Sequence, residues 1–276
     1  MFLKLLLAST LLSSVVFANA VDDAIIKFEK KRFSKNSQIE VKDVKINMKK
    51  KMPLEGWHGY IIDVTAEVQG KELKAKDMVF SNGTFVSPDL FDIKTGASLK
   101  DNMSPTLSAE YYNKSHLIAG NHKAKNKIVV FSDPLCPFCM DYIPDVIQHV
   151  KKNSDTIALY YYHFPLLRLH PAADALTKLM ELAKHKGIKD IELKVYEADW
   201  DKHFSERETN HQKVIDGFNK EFKTNFSFTD VMTKEGREAV LLDIKMGEEV
   251  MVQGTPTIFV NGEKDNSKLK YETLGK

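Results

Sequence analysis

The chain has 276 residues, of which 43% are hydrophobic and 28% charged, with 40 basic residues against 38 acidic ones. This near balance of charge argues against nucleic acid or an anionic membrane surface as the main partner, since both select strongly basic proteins. A chain of this length is expected to form two domains of ordinary size.

Residues 1–20 have the pattern of a secretory signal peptide. One charge, Lys4, precedes an apolar run over residues 5–17, and Ala-Asn-Ala at residues 18–20 forms a small-x-small cleavage site. The run is too short to span a bilayer as a helix. We therefore expect Val21 to begin a soluble, exported protein in a compartment where disulfides persist.

Residues 21–103 are predicted to form a compact α+β domain. Residues 22–33 carry apolar side chains among charges, which is typical of a short amphipathic helix. Residues 60–68 alternate between apolar and polar positions, as half-buried strands do. The dipeptide Asn82-Gly83 lies between two further strand segments and favours a two-residue hairpin turn. A domain of this size is small for a core that stands alone.

The next segment is predicted to be a linker. Ser104-Pro105 has the pattern of a helix start, with serine as N-cap and proline at the first helical position. The pattern predicts a connecting helix over about residues 106–118, followed by a lysine- and asparagine-rich connection. We assign residues 104–126 to this linker and residues 127–276 to a second domain.

A strand, a turn and a helix start follow one another over residues 128–142, Ile-Val-Val-Phe-Ser-Asp-Pro-Leu-Cys-Pro-Phe-Cys-Met-Asp-Tyr. The arrangement places Cys136 at the first turn of a helix, where unpaired backbone N–H groups and the helix dipole favour a thiolate. A partly exposed cysteine of low pKa is what disulfide exchange requires, because the thiolate attacks. Cys139, one turn further on, is placed to close the disulfide and release a bound partner.

The same cysteine pair is compatible with two other roles. It could be half of a zinc site, but such a site needs about four ligands. Cys136 and Cys139 are the only cysteines, and no pair of histidines at ligand spacing lies nearby. It could be a structural disulfide, but so short a loop adds little stability. Redox chemistry is favoured over both, and we expect no metal and no cofactor.

The rest of the second domain is predicted to contain one strand and a helical region. Residues 156–164 are rich in Ile, Leu and Tyr, which indicates a strand. A helical insertion is predicted over about residues 166–250. Its first helix starts at Pro171 and stops at Gly187.

The remaining predictions for the second domain concern its last hairpin and two histidines. Residues 257–260 are predicted to form a third buried strand, and Asn261-Gly262 a turn into a strand at residues 269–271. His163 and His170 are interpreted as capping or core partners rather than catalysts.

Between residues 23 and 263 the chain resembles the thioredoxin superfamily, and within it the periplasmic DsbC/DsbG branch of disulfide oxidoreductases. The resemblance lies in the Cys-Pro-Phe-Cys helix with Pro144 inside it, the helical insertion, and Gly-Thr-Pro-Thr at residues 254–257. It implies an α+β, cystatin-like N-terminal dimerisation domain, a linker helix, and an α/β thioredoxin-like catalytic domain with a helical insertion.

The resemblance also implies roles for individual residues. Cys136 is the implied nucleophile and Cys139 the resolving thiol, and together they form the redox-active disulfide. Pro256 is the implied cis-proline that faces the disulfide. Thr255 before it is implied to offer backbone groups to a bound peptide strand and to help set the reduction potential.

Four positions between and before the cysteines bear on the tuning of the pair. Pro137-Phe138 is the dipeptide that the resemblance implies as the tuning element. Val130 stands where thioredoxin and DsbA carry a buried acid, six residues before the first cysteine. Asp133 matches DsbC-like sequences, and we interpret it as a turn former.

The implied function is that of a periplasmic thiol:disulfide interchange protein. Its partners are unfolded or misoxidised exported proteins, a membrane redox partner of DsbD or DsbB type, and a second copy of the chain. Phe138 can neither donate a hydrogen bond nor carry charge, which favours a less oxidising pair and hence an isomerase or reductase. The alternatives are a dimeric dithiol oxidase, a non-redox holdase chaperone and, less favoured, a copper(I) carrier.

Overall fold

The computed structural model describes residues 6–275, and the chain divides into two compact units between Ser104 and Pro105. No helix in the described part is both long and apolar enough to cross a membrane. Residues 1–5 of the predicted signal peptide lie outside that part, and cleavage after Ala20 remains a prediction.

The first unit is a helix followed by a four-stranded antiparallel sheet. Its elements, with the strands in this spatial order, are α1 (Leu6–Phe33), β1 (Ile39–Lys51), β2 (His58–Val68), β3 (Lys71–Ser81) and β4 (Val86–Ser87). The amphipathic helix predicted over residues 22–33 lies within α1, and the strand predicted over residues 60–68 lies within β2. Side chains alternate along a strand, so one face of β2 buries Tyr60 and Ile62 in a core with Ile25 of α1.

The hairpin predicted at Asn82-Gly83 is present, but its loop is longer than two residues. Ser81 pairs with Val86, and this pair closes the β3–β4 ladder. The Asn82 side chain accepts hydrogen bonds from the backbone N–H groups of the two residues after Gly83. Asparagine stabilises turns by such bonds to its own backbone, which here supports the longer loop.

The second unit is an α/β domain around a five-stranded mixed sheet. Its strands are β5 (Leu117–Gly120), β6 (Asn126–Ser132), β7 (Ile157–His163), β8 (Thr257–Val260) and β9 (Glu263–Lys264), in the spatial order β5-β7-β6-β8-β9. Its helices are α2 (Pro137–Lys152), α3 (Ala173–His185), α4 (Ile191–Glu197), α5 (His211–Phe222), α6 (Phe228–Val231) and α7 (Lys234–Glu249). β6 and β7 are parallel, with α2 as the crossover between them. The helices predicted between residues 166 and 250 are present as α3–α7.

Two cores lie on opposite faces of this sheet, because successive side chains of a strand alternate. In β7, Leu159 and Tyr161 belong to a core shared with α2 and α3, whereas Tyr160 and Tyr162 belong to the other core. β6 is divided between the two cores in the same way. The apolar run predicted as a buried strand is therefore covered on both faces, as central parallel strands are.

The connecting helix predicted over residues 106–118 is wrong. The segment contains two short 3-10 turns, Ala109–Tyr112 and Lys114–His116, followed by β5. The Leu107 N–H donates to the Gly262 carbonyl, and the buried Tyr111 hydroxyl donates to the Met246 carbonyl. These long-range bonds outweigh the local helix-start pattern, so the segment is part of the second unit.

The strand predicted over residues 269–271 is also wrong. The strand that follows the Asn261-Gly262 turn is β9, which begins directly after it and pairs with β8. Residues 270–273 form a 3-10 turn instead. The Asp265 carboxylate accepts the Lys270 backbone N–H at 2.9 Å, which favours this turn over an extended strand.

Candidate active site

β6 brings the Cys-x-x-Cys motif to the end of the central strands. The strand ends at Ser132, and Cys136 is the N-cap of α2, with Pro137 at the first helical position. The backbone of Cys136 is extended, with φ −76° and ψ 122°, and its N–H donates to the Asp133 carbonyl. The strand, turn and helix start predicted from the sequence are all present.

The two thiols differ in accessibility, although both are buried. Cys136 is 4% exposed and Cys139 is 0% exposed, and both are free thiols. Phe138 lies between them in the sequence and has 73% of its surface exposed. Cys136 is therefore the thiol that a partner can reach first.

The pKa of Cys136 is lowered to about 5, chiefly because its sulfur is hydrogen-bonded to the Cys139 thiol. Burial opposes this shift. The Thr255 side chain and the backbone N–H groups of Cys139 and Phe138 lower the pKa further. Those N–H groups belong to the unpaired donors of a helix N-terminus. Cys136 is thus a thiolate at neutral pH, the attacking species in disulfide exchange.

Thr255 and Pro256 lie beside the cysteine pair, far from it in sequence. The peptide bond between them is cis, the form that the family resemblance implied. In its protonated form, the Cys136 thiol donates to the Thr255 carbonyl across 3.5 Å, although 119 positions separate the two residues. The Thr255 hydroxyl is buried and has no partner at hydrogen-bond distance among the described residues, but the Thr255 side chain lowers the pKa of Cys136. Tertiary folding therefore brings together the two sequence segments that carry the predicted site residues.

Cys139 behaves in the opposite way. Burial raises its pKa, and the hydrogen bond and charge of Cys136 raise it further. Two donors oppose this rise, because hydrogen bonds from the Ser132 hydroxyl and the Asp133 backbone N–H favour the thiolate. Cys139 keeps its proton while Cys136 is ionised, so its thiol can donate to the neighbouring thiolate.

Asp133 forms the predicted turn and also holds a second segment. Its Oδ1 accepts the Leu135 backbone N–H at 2.8 Å. Its Oδ2 accepts the Leu166 backbone N–H at 2.7 Å and lies 2.9 Å from Nδ1 of His170. This fully buried carboxylate joins the turn before Cys136 to the segment after β7. His170 is therefore a structural partner, as predicted.

The segment held by Asp133 carries two exposed apolar side chains, Leu167 and Leu169. With Phe138, they provide apolar surface on the two chain segments that Asp133 joins. Exposed apolar surface of this kind is typical of sites that contact other polypeptides.

The structure also bears on His163 and on the zinc alternative. His163 is buried, and its Nε2 lies 3.1 Å from Glu181 Oε1, so it is a core partner as predicted. In residues 6–275, no group of three or more His, Cys, Asp or Glu side chains is arranged to hold a metal ion. The zinc alternative therefore gains no support from the described residues.

The hydroxyl groups of Ser132 and Tyr196 belong to the surroundings of the pair although no prediction above includes them. The Ser132 hydroxyl accepts a hydrogen bond from the Tyr196 hydroxyl at 2.7 Å, and Tyr196 is bonded to Tyr161 at 2.9 Å. Ser132 had a recognisable signal, because a serine that ends a buried apolar strand needs a hydrogen-bond partner. Tyr196 had no such signal, since it lies 64 positions from Ser132 in the insertion.

Comparison with known proteins gives one family match and several similar solved structures. The sequence model of a family described as Thioredoxin matches residues 112–276. No curated protein matches the chain. Among solved structures, the chain is similar to Pseudomonas aeruginosa DsbA2, with 22% identity, a TM-score of 0.41, and coverage of 56% of this chain and 90% of that chain.

Two further solved structures have comparable similarity. Oxidised BdbD from Bacillus subtilis is 17% identical with a TM-score of 0.45, over 61% of this chain and 91% of that chain. Proteus mirabilis ScsC in a transitional conformation is 15% identical with a TM-score of 0.46, over 63% of this chain and 79% of that chain.

Proposed function

Since the chain belongs to the thioredoxin family, we propose that it is a thiol:disulfide oxidoreductase whose reactive groups are Cys136 and Cys139. One observation carries this proposal. Cys136 caps the start of α2 with its pKa lowered to about 5, beside a buried thiol whose pKa is raised. A stable thiolate next to a neutral thiol is the arrangement that disulfide exchange needs.

The proposed reaction has two steps. The Cys136 thiolate attacks one sulfur of a substrate disulfide, forms a mixed disulfide, and releases the other substrate sulfur as a thiolate. Cys139 then loses its proton to solvent and attacks the Cys136 sulfur. The bond between the two cysteines forms as the bond to the substrate breaks, so the pair is oxidised and the substrate is reduced. With the pair initially oxidised, the same steps run in reverse.

The substrate proposed for this site is an extended segment of an exported protein. Thr255 and Pro256 lie beside Cys136, where the backbone of Thr255 offers hydrogen-bonding groups to such a segment. The exposed side chains of Phe138, Leu167 and Leu169 supply apolar contacts. An unfolded or misoxidised chain presents both extended backbone and apolar side chains.

We favour the isomerase or reductase direction, of the DsbC/DsbG type. The Phe138 side chain is largely exposed and can neither donate a hydrogen bond nor carry charge, so beyond its backbone N–H the dipeptide adds no stabilisation of the thiolate. The first unit supports the same choice, because two paired copies would hold one substrate between two Cys136 sites. The partners in this proposal are a second copy of the chain and a membrane reductant of DsbD type, in the periplasm.

A specific observation favours a second candidate, a dimeric oxidase recharged by a DsbB-type partner. The pKa of Cys136 is lowered to about 5. A thiolate of such low pKa stabilises the reduced pair and makes its disulfide more oxidising. The protein would then donate disulfides rather than rearrange them.

The experiment that tests the function has two readouts on the intact mature chain. The first is the redox state of Cys136–Cys139 in cells, trapped by acid and alkylation. The second is refolding of a scrambled multi-disulfide protein. A mostly reduced pair that unscrambles the substrate supports the isomerase. A mostly oxidised pair that fails to unscramble it supports the oxidase.

A matched control addresses the holdase alternative. The double variant Cys136→Ser, Cys139→Ser removes both thiols by a change of one atom each, and circular dichroism checks that it is folded. If this variant refolds the scrambled substrate as well as the wild type does, the exchange function is wrong and a chaperone role replaces it.

A further inference from the structure

Three buried hydroxyl groups form a line of hydrogen bonds that ends beside Cys139. Tyr161 on β7 and Tyr196 on α4 are joined through their hydroxyls at 2.9 Å. The Tyr196 hydroxyl then donates to Ser132 Oγ, at the end of β6, across 2.7 Å. None of the three residues is more than 3% exposed, and Cys139 is 0% exposed in the same core.

One bond fixes the direction of donation along this line. Each hydroxyl carries a single proton, and that of Tyr196 points to Ser132. The proton between the two phenols must therefore come from Tyr161. The Ser132 proton is left for another acceptor, and the hydroxyl is hydrogen-bonded to the Cys139 sulfur. Every donor in the line thus points towards that sulfur.

The two phenols keep their protons under all ordinary conditions. Burial holds the pKa of Tyr161 and of Tyr196 well above the usual value for tyrosine. Hydrogen bonds in such a chain polarise and strengthen one another. When Cys139 is ionised, its thiolate accepts a hydrogen bond from Ser132. This bond is strengthened because the Ser132 oxygen accepts a hydrogen bond from Tyr196.

We propose that Ser132, Tyr196 and Tyr161 are positioning residues that stabilise the Cys139 thiolate in the resolving step. Ser132 acts by direct contact, and the two tyrosines act through it. The inference rests on the proposed exchange reaction. In that step Cys139 releases its proton to the buffer, its sulfur bonds to Cys136, and the partner sulfur leaves Cys136 as a thiolate.

The two steps can be followed separately with a chromogenic aromatic disulfide, dithionitrobenzoate. Attack by Cys136 of the reduced full chain releases the first aromatic thiolate, and attack by Cys139 on the mixed disulfide releases the second. A hydrogen bond to a charged group is worth about a tenfold change in rate or more. We expect Ser132→Ala to slow the second phase at least about tenfold, Tyr196→Phe to slow it less, and Tyr161→Phe least.

Tyr162→Phe is the matched control. Tyr162 is fully buried on the same strand as Tyr161, and its hydroxyl donates to the Tyr111 carbonyl in the opposite core. The substitution removes the same hydroxyl and one hydrogen bond, but on the other face of the sheet. We expect both phases to keep their wild-type rates.

Alkylation of Cys139 separates this role from a merely structural one. In a Cys136→Ser background, Cys139 is the single thiol, and its rate of alkylation at a fixed pH is proportional to its thiolate fraction. We expect Ser132→Ala to lower this rate about tenfold, the equivalent of one unit of pKa, whereas a loosened core would raise the rate. Tyr196→Phe lowers it by less, and Tyr162→Phe leaves it unchanged.

Three results would overturn the inference: an unaltered second phase in both Ser132→Ala and Tyr196→Phe, equal slowing by Tyr162→Phe, or an unaltered or raised alkylation rate of Cys139 in Ser132→Ala. A different result tests the proposed function. If the wild-type chain shows no first phase, the exchange reaction itself is wrong, and the alkylation rate of Cys139 still decides whether Ser132 stabilises its thiolate.

Discussion

The sulfur of Cys136 lies 3.5 Å from the carbonyl oxygen of Thr255, a residue 119 positions further along the chain. The Thr255 side chain lowers the pKa of this sulfur, and the peptide bond between Thr255 and Pro256 is cis. The thiolate is thus favoured both by the start of its own helix and by a residue of the turn before β8.

The first prediction concerns the titration of Cys136. In the reduced wild-type chain, the rate of alkylation should rise with pH around a midpoint near 5, because only the thiolate reacts. Thr255→Val removes one donor to the thiolate at nearly constant volume and should raise the midpoint by about one unit. Thr257→Val is the matched control, since the Thr257 hydroxyl donates to the Gly254 carbonyl instead. Equal midpoints in wild type and Thr255→Val would show that the Thr255 hydroxyl does not stabilise the Cys136 thiolate.

The second prediction is a pH-dependent stability of the reduced form. The folded pKa of Cys136, about 5, is below the value of about 8.5 expected in an unfolded chain. Its contribution is fully present above pH ~8.5 and is lost as the pH falls through about 5, because the unfolded chain binds the proton first. The disulfide form lacks this group.

Urea unfolding of the reduced and oxidised chains between about pH 5 and pH 8 measures this effect. The stability of the reduced form relative to the oxidised form should increase with pH, by on the order of a few kcal/mol across the window. A difference that stays constant with pH would show that the thiolate is not stabilised by folding.

A third prediction distinguishes the roles of the two cysteines. Cys136→Ser should abolish exchange, since it removes the thiol that a partner reaches. Cys139→Ser should accumulate mixed disulfides at Cys136, because nothing resolves them. Non-reducing gels of whole cells, followed by identification of the trapped partners, measure both effects. If Cys139→Ser traps no partner while Cys136 still reacts with a small disulfide, protein substrates are not the targets.

The fourth prediction concerns the buried carboxylate of Asp133. It accepts bonds from two backbone N–H groups and pairs with His170. Asp133→Ala leaves these buried partners unsatisfied and should cost on the order of 3 kcal/mol of unfolding free energy, because each unsatisfied buried donor costs about 1–3 kcal/mol. Asp145→Ala, at an exposed position on α2, should stay within about 0.5 kcal/mol of wild type. A loss below about 1 kcal/mol for Asp133→Ala would mean that the segment after β7 does not depend on this contact.

The fifth prediction is that the mature chain is a dimer. The first unit exposes three large apolar side chains close together in sequence, Phe85, Phe91 and Ile93, the last of them 98% exposed. Such surface is typical of protein interfaces. Light scattering at micromolar concentration should give twice the chain mass, and Ile93→Asp should lower it towards one chain. Leu241→Asp, an equally polar change at an exposed leucine of the second unit, should leave it unchanged. A stable single-chain mass for the wild type contradicts the dimer.

Part of the fold could be predicted because its signals are local. The alternation in β2, the apolar run of β6 and the helical stripe of α2 each follow from side-chain periodicity over a few residues. Local signals failed where distant contacts decide the backbone. Ser104-Pro105 has a good helix-start pattern, yet Leu107 and Tyr111 bond to the turn after β8 and to α7, and no helix forms.

The sequence by itself determined the reactive pair, its place at a helix start and the low pKa expected of Cys136, because strand, turn and cap lie within a few consecutive residues. Only the tertiary structure decided what surrounds the pair. Thr255 contacts Cys136 itself. His170 bonds to Asp133 in the turn before the pair, and Tyr196 bonds to the last residue of β6. All three come from segments far along the chain, and their contacts depend on sheet order and helix packing. Hydrogen bonds act over about 3 Å, whereas the periodicity of a sequence shows only which face of an element is buried. Which side chains come within that distance of the cysteine pair is therefore decided by folding.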